Sequence, residues 1–118
     1  MDLAKEVNEA LAQYSANIDA TMDKVFIETA QEAVSQLKAS SPRRKGGGRY
    51  ARGWRIKKVN GKYIVHNKTD YQLTHLLENG HDIIRNGRKV GSSPAIPHIK
   101  PVEEWVKEEV VARLESDL

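Results

Sequence analysis

The chain has 118 residues, of which 39% are hydrophobic and 30% charged, a composition typical of one globular domain with a modest core. It contains no cysteine, which excludes disulfides, thiolate metal sites and thiol nucleophiles, and no cofactor is expected. It has neither the apolar leader of a signal peptide nor an apolar run of about 18 residues, so we expect a soluble protein that is made inside a cell and does not contact a membrane.

The net charge of +3 conceals an uneven distribution of charge along the chain. The segment from Ala33 to Thr69 contains 11 Lys or Arg residues and no Asp or Glu, whereas residues 1–32 and 102–118 are acidic. A basic segment of this kind can attract nucleic acid, or it can meet acidic surfaces on other copies of the same chain.

Apolar residues recur every three to five positions from Leu3 to Leu37, which predicts one amphipathic helix without an internal Pro or Gly. An unbroken helix of this length would measure roughly 50 Å, whereas a compact domain of this size is about 35 Å across. The helix therefore either bends or breaks, most readily within residues 15–21, or its apolar stripe continues onto another subunit.

The helix is expected to end at Ser40 to Pro42, and residues 43–48 are predicted to form a mobile, basic, glycine-rich loop. A hairpin follows, because Arg52–Val59 and Lys62–Asn67 flank the dipeptide Asn60-Gly61 that type I′ turns favour. Its register, with Val59 opposite Lys62, defines two faces. The core face carries Trp54, Ile56, Tyr63 and Val65, and the basic face carries Arg55, Lys57, Lys62 and His66.

A short helix should follow the hairpin, with Thr69 and Gln72 as a capping box and Gly80 just after its end. Leu73, Leu76 and Leu77 would form its buried stripe.

Residues 82–84 and 88–90 are expected either to pair across Asn86-Gly87 as a second short hairpin or to form an ordered loop. Residues 91–97 should be extended, and Pro101 suits the first turn of a final helix, with Glu103 and Glu104 also in that positive first turn. The apolar stripe of that helix runs from Val102 to Leu114.

These elements predict an α+β fold: a long N-terminal helix, a small antiparallel sheet built on a β-hairpin, a short middle helix and a C-terminal amphipathic helix. We expect residues 1–118 to form a single domain. It would comprise a helical segment (1–39), the mobile basic loop (40–49) and an α+β core (50–118).

Catalytic and metal-binding patterns are weak. His75, Glu78 and His81 are spaced by three and could share one side of an unbroken helix as metal ligands, but Gly80 would end that helix and turn His81 away. We therefore interpret the histidines as capping or surface groups and expect no metal site and no enzymatic activity. Ser92 and Ser93 lack a nucleophile elbow, and the glycines at 46–48 lack the ending of a phosphate loop.

The basic segment is the strongest candidate for a contact surface. Interleaved with Tyr50 and Trp54, it could follow a phosphate backbone, although the hairpin register turns Trp54 towards the core and removes its ring from stacking. The candidate residues for contact with a partner or with DNA are Arg43, Arg44, Lys45, Arg49, Arg52, Arg55, Lys57 and Lys62.

Several motifs in chain order resemble the family of bacteriophage HK97 gene product ten. The resemblance covers about two thirds of the chain, from Ser40 onwards, and leaves out the N-terminal helix because that helix is too generic. The motifs are Ser41-Pro42, a basic glycine-containing loop, Trp54 in a strand, Val65-His66-Asn67 at a strand end, Tyr71 opening a helix with Leu77-Glu78-Asn79-Gly80-His81, and Pro97-His98-Ile99-Lys100-Pro101 before the last helix.

The resemblance implies a non-enzymatic virion protein of a long-tailed phage or prophage, acting in tail completion or head-tail joining. It further implies an oligomeric ring, expected to be sixfold, that contacts head-connector and tail proteins in the neck after assembly in the host cytoplasm. The rival interpretation, which the residues leave open, is a small basic nucleic-acid-binding module.

Overall fold

The computed structural model describes residues 3–43 and 48–118. Its elements confirm the predicted α+β class, and the strands form two separate two-stranded antiparallel sheets. A 3₁₀ turn at Tyr71–Leu73 leads directly into the third helix. The elements are helices α1 (Leu3–Ser40), α2 (Arg49–Arg52), α3 (Thr74–Asn79) and α4 (Ile99–Asp117), and strands β1 (Trp54–Val59), β2 (Lys62–Asn67), β3 (His81–Arg85) and β4 (Arg88–Ser93).

Helix α1 is one element of 38 residues and shows no break within residues 15–21. At 1.5 Å per residue it is about 57 Å long. The molecule measures 81 × 26 × 22 Å, and its radius of gyration is 21.0 Å, against about 13 Å for a compact chain of 100 residues. Of the two sequence alternatives, the broken helix is therefore wrong, and α1 extends beyond the packed body.

The body is built on the C-terminal half of α1. Helix α4, both strands of the first hairpin and α2 all contact α1. The buried core cluster consists of Ala33, Leu37, Tyr50, Trp54 and Val102, with Val65, Leu77 and Trp105 among the half-buried residues packed around it. Burying a large apolar side chain contributes about 1.5–3 kcal/mol, so these contacts fix how the elements are arranged.

The first hairpin has the predicted register. Val59 pairs with Lys62 and Trp54 with Asn67. Asn60 and Gly61 have φ angles of 50° and 77°, as a type I′ turn requires. The predicted start of the first strand at Arg52 is wrong, because residues 49–52 form the helical turn α2.

The second hairpin also forms, and it is longer than predicted because β4 continues to Ser93. Its pairing shifts between Ile83 and Ile84. Most of its side chains are exposed, including those of Ile84 and Val90. The hairpin thus projects from the body with little apolar cover.

Two details of the short middle helix differ from prediction. The Thr69 hydroxyl donates to the Arg49 carbonyl instead of capping a helix, and the Asn67 side chain accepts from the Asp70 N–H at 2.9 Å. The capping box is therefore wrong, because the turn after β2 directs Thr69 towards α2. Leu76 is exposed on the outer side of α3, so its assignment to the buried stripe is also wrong. The helix does end before Gly80, as predicted, and Gly80 has a φ of 73°.

Gly53 is the single residue between α2 and β1. Because it has no side chain, the polar side chains of Thr69 and Asn67 can approach its backbone closely. A Cβ on Gly53 would lie 2.2 Å from Thr69 Oγ1 and 2.6 Å from Asn67 Oδ1. Gly53→Ala should therefore reduce the free energy of unfolding by roughly 1–3 kcal/mol, measured by urea denaturation. Gly91→Ala is the matched control, because a Cβ at Gly91 would meet nothing within 4 Å. Equal stability of the two variants would contradict this account.

Candidate functional site

The N-terminal half of α1 exposes an apolar stripe. Leu3, Val7, Leu11 and Tyr14, called the α1 stripe below, are 56–66% exposed. Further along the same helix, Val25 is 1% and Ala33 is 3% exposed. A contiguous apolar patch of this kind is typical of an interaction surface.

A second apolar surface lies within the body, between α1 and α4. Two adjoining grooves of about 410 and 380 Å³ share Ala33, Val65 and Val106 in their walls. The inner face of the first hairpin contributes Tyr63 and Val65, and α4 contributes Val110. The two grooves together are called the α1–α4 trough. Its open side exposes aliphatic and aromatic walls to solvent.

The structure separates the predicted basic contact residues. Arg44 and Lys45 lie outside the described residues. Arg43 donates to the Lys38 carbonyl at the end of α1 at 2.9 Å. Arg49 lies 3.2 Å from an Asp70 carboxylate oxygen and donates to the Thr69 carbonyl, so its charge has an intramolecular partner at the surface.

The remaining candidates lie at or near the outer face of the first hairpin. Arg55, Lys57 and Lys62 are exposed on that face, as the register predicted, and Arg52 is exposed on α2 just before it. Arg55 also donates to the Trp54 carbonyl at 2.8 Å. Trp54 is 4% exposed, and its indole N–H donates to the Ser41 hydroxyl at 2.8 Å, so its ring is not available for stacking on bases.

The three residues spaced for metal binding do not converge. His75 lies on the exposed side of α3 and His81 begins β3. Across residues 3–43 and 48–118, no group of three His, Asp or Glu side chains could hold a metal ion. The Glu78 carboxylate points instead towards the start of α4.

Glu78 caps α4 from a different element. One of its oxygens accepts from the backbone N–H groups of His98 and Ile99, each at 2.8 Å, and the other accepts from that of Lys100 at 3.0 Å. These N–H groups have no partner within the helix, and a negative charge beside them also complements the helix dipole. Because α4 begins at Ile99, Glu103 and Glu104 lie in its second turn, so their predicted place in the first turn is wrong. Pro101 does lie in the first turn.

The ionisation of Glu78 reflects this position. Burial alone would raise the pKa of Glu78, but the three backbone donors and the nearby His98 together lower it below its usual value. The carboxylate is therefore held in its charged form, which is the form that caps the helix.

His98 connects this cap to the core. It is 2% exposed, and its Nδ1 lies 2.7 Å from the Ile96 carbonyl and 3.0 Å from a Glu78 oxygen. Since both neighbours are acceptors, we assign the proton to Nδ1, and Nε2 then accepts from the Tyr50 hydroxyl at 2.7 Å. Burial, and after it the Glu78 charge, raises the pKa of Tyr50 to about 12, so Tyr50 keeps the proton that it donates.

Sequence reasoning missed this cap, although it recognised both motifs that form it. Glu78 belongs to the Leu77 to His81 motif, and His98 to the motif from Pro97 to Pro101. The sequence signal for this cap was an absence. The N-cap residue of α4 is His98 and not Ser, Thr, Asp or Asn, and the His98 side chain does not cap the helix. A helix start of this kind needs an acceptor from elsewhere in the fold.

The fold is a small α+β body from which one helix projects, with apolar surfaces on both, and this is typical of proteins that function within assemblies. A family model described as "Bacteriophage HK97-gp10, putative tail-component" matches residues 5–80, more than half of the chain. The chain belongs to this family of phage tail components.

The match and the sequence resemblance share residues 40–80 and differ outside them. The match includes most of α1, which the resemblance left out as generic, and it ends at Gly80, before the motif from Pro97 to Pro101. No curated protein and no solved structure matches the chain. Among the described residues, no helix is both long and apolar enough to cross a membrane.

Replacing Glu78 by Gln should test the cap. The variant keeps an acceptor but loses the charge, so at pH 7 the free energy of unfolding should fall by about 1–3 kcal/mol. Since folding lowers the pKa of Glu78, its contribution is complete above the unfolded value of about 4.3 and is lost as the pH falls through the folded pKa. The two proteins should therefore converge in stability in acid, as measured by urea denaturation across pH.

The matched control is Glu108→Gln, which removes the same charge from an exposed position on α4. It should change stability by no more than about 0.5 kcal/mol. A Glu78→Gln deficit that persists unchanged at pH 3 would argue against a charged cap.

Proposed function

We propose that this tail-component family member is a non-enzymatic structural protein of a long-tailed phage or prophage. It acts in tail completion or head-tail joining, as an oligomeric ring in the neck of the virion. Its partners are copies of itself together with head-connector and tail proteins, and it assembles in the cytoplasm of the host bacterium.

The observation that carries this proposal is the α1 stripe. Apolar side chains that are 56–66% exposed along a helix projecting into solvent bury little surface in an isolated chain. They lose contact with water once a neighbouring protein covers them, and each large apolar side chain buried in this way contributes about 1.5–3 kcal/mol. A component of a larger particle has such neighbours.

We further propose that residues 1–118 act as one assembly unit. The core cluster joins α1, α2, the first hairpin and α4, and the Glu78 cap joins α3 to α4. Movement of the body relative to α1 would break this shared core.

A gene-inactivation experiment tests the role directly. A stop codon early in the gene, in a lysogen that produces particles, should give lysates with filled heads and tails that are separate or of abnormal length in electron micrographs. Supplying the intact chain from a plasmid should restore infectious particles. Normal particles from the mutant, or no copy of the chain in purified virions by mass spectrometry, would contradict the proposal.

Nucleic-acid binding is the second candidate, and the exposed row Arg55, Lys57 and Lys62 is the observation that favours it. Charge alone gives salt-sensitive, sequence-independent binding, and the buried Trp54 removes the best stacking group. We therefore rank it below the structural role.

DNA affinity measured against salt concentration separates the two functions. We expect weak binding to DNA. Replacing Arg55, Lys57 and Lys62 together by Glu should lower the affinity no more than the same replacement of Lys24, Arg85 and Arg88, which are also exposed. A tight complex whose salt slope falls by about 0.9 for each lost phosphate contact, in the first variant alone, would instead support a nucleic-acid-binding module.

A further inference from the structure

We propose that the α1 stripe of one copy packs into the α1–α4 trough of a second copy, so that copies join head to tail. The inference rests on the proposed oligomeric function and names the surface that covers the exposed stripe. It makes the projecting half of α1 the connecting element between neighbouring subunits.

The stripe cannot be covered by its own body. Helix α1 runs without a break from Leu3 to Ser40, and no Gly or Pro interrupts it. A continuous helix holds Leu3 and Val7 far along its axis from the trough, which begins near Phe26. Only another molecule can therefore cover the stripe.

The spacing of the stripe matches that of the buried residues which the trough elements already cover. Leu3, Val7 and Leu11 stand two 11-residue periods before Val25, Thr29 and Ala33. A period of 11 gives about 3.67 residues per turn, close to the 3.6 of a straight helix, so both sets lie on nearly the same face. Within one copy, the first hairpin and α4 pack on helix residues with this spacing. The same two elements of a second copy can therefore pack on the stripe.

The charges of the two surfaces are also complementary. Residues 3–22 of α1 carry Glu6, Glu9 and Asp19 against Lys5 and are net acidic, whereas the charged residues that line the trough, Lys62, Lys107 and Glu103, are net basic. The same pairing exists within one copy, where Asp23 of α1 lies 3.5 Å from Lys58 and accepts from the Tyr63 hydroxyl at 2.7 Å.

The contact joins two different surfaces, so a joined pair of copies leaves one stripe and one trough unfilled. Contacts of this heterologous type close into a ring when the rotation between copies allows it, and otherwise continue as a filament. Self-pairing of two stripes would instead give a closed dimer, and a different virion protein in the trough would leave copies unlinked.

Disulfide cross-linking distinguishes these arrangements, because the chain has no native cysteine. Leu11→Cys chains should form a disulfide with Val110→Cys chains when the two are mixed and oxidised, in solution or after both are incorporated into particles. A cross-link of Leu11→Cys with itself would show stripe pairing. That result, or the lack of a mixed cross-link in both settings, would overturn the proposal.

A charge substitution tests the apolar contact itself. Val7→Glu with Leu11→Glu should weaken association at least about tenfold in sedimentation equilibrium, or remove the chain from particles. The control, Ala12→Glu with Ala16→Glu, adds the same charge to exposed positions on the opposite face of α1 and should have little effect. Both variants should keep the helical circular dichroism of the parent, since all four positions are exposed.

These outcomes are separable from those of the gene-inactivation experiment. If inactivation abolishes joining but the stripe variant assembles normally, the structural role stands and the head-to-tail contact is wrong. If inactivation has no effect on particles, the proposed function fails whatever the cross-linking result.

Discussion

The C-terminal half of α1 is the constraint on which the other described elements depend. Val25, Ala33 and Leu37 provide the apolar wall against which the first hairpin and α4 pack, and Ser41 at the helix end accepts from the buried indole of Trp54. Because a helix without breaks transmits its direction along its whole length, fixing this half also fixes the other. The exposed α1 stripe is therefore held at a defined distance from the body, as the proposed assembly surface requires.

The second organising feature is the carboxylate of Glu78. It satisfies the three leading N–H groups of α4, and through His98 and Tyr50 it is connected to the aromatic core. The family match ends at Gly80, so this cap joins the matched part of the chain to the helix beyond it. A charged acceptor of three N–H hydrogen bonds, two of them partly buried, costs more to remove than an exposed ion pair, so the cap helps to define where α4 begins.

The sheets of the molecule suit a protein that is completed by neighbours. Each has two strands, and a two-stranded hairpin is only marginally stable in water unless something packs on it. The first hairpin packs on α1, whereas the second exposes Ile84 and Val90. Exposed strand edges and apolar side chains are a liability in an isolated protein but are useful in an assembly, where they become interfaces.

The sequence by itself determined the local elements. The apolar period specified α1, Asn60-Gly61 specified the register that buries Trp54, and Gly80 specified the end of α3, because each depends on neighbours within a few residues. Only the tertiary structure decided that α1 continues unbroken beyond the body, that Thr69 turns to α2, and that Glu78 caps a helix beginning 21 residues later. Those outcomes depend on which distant groups meet, since a helix end or a carboxylate takes whichever partner the packed core brings within hydrogen-bonding distance.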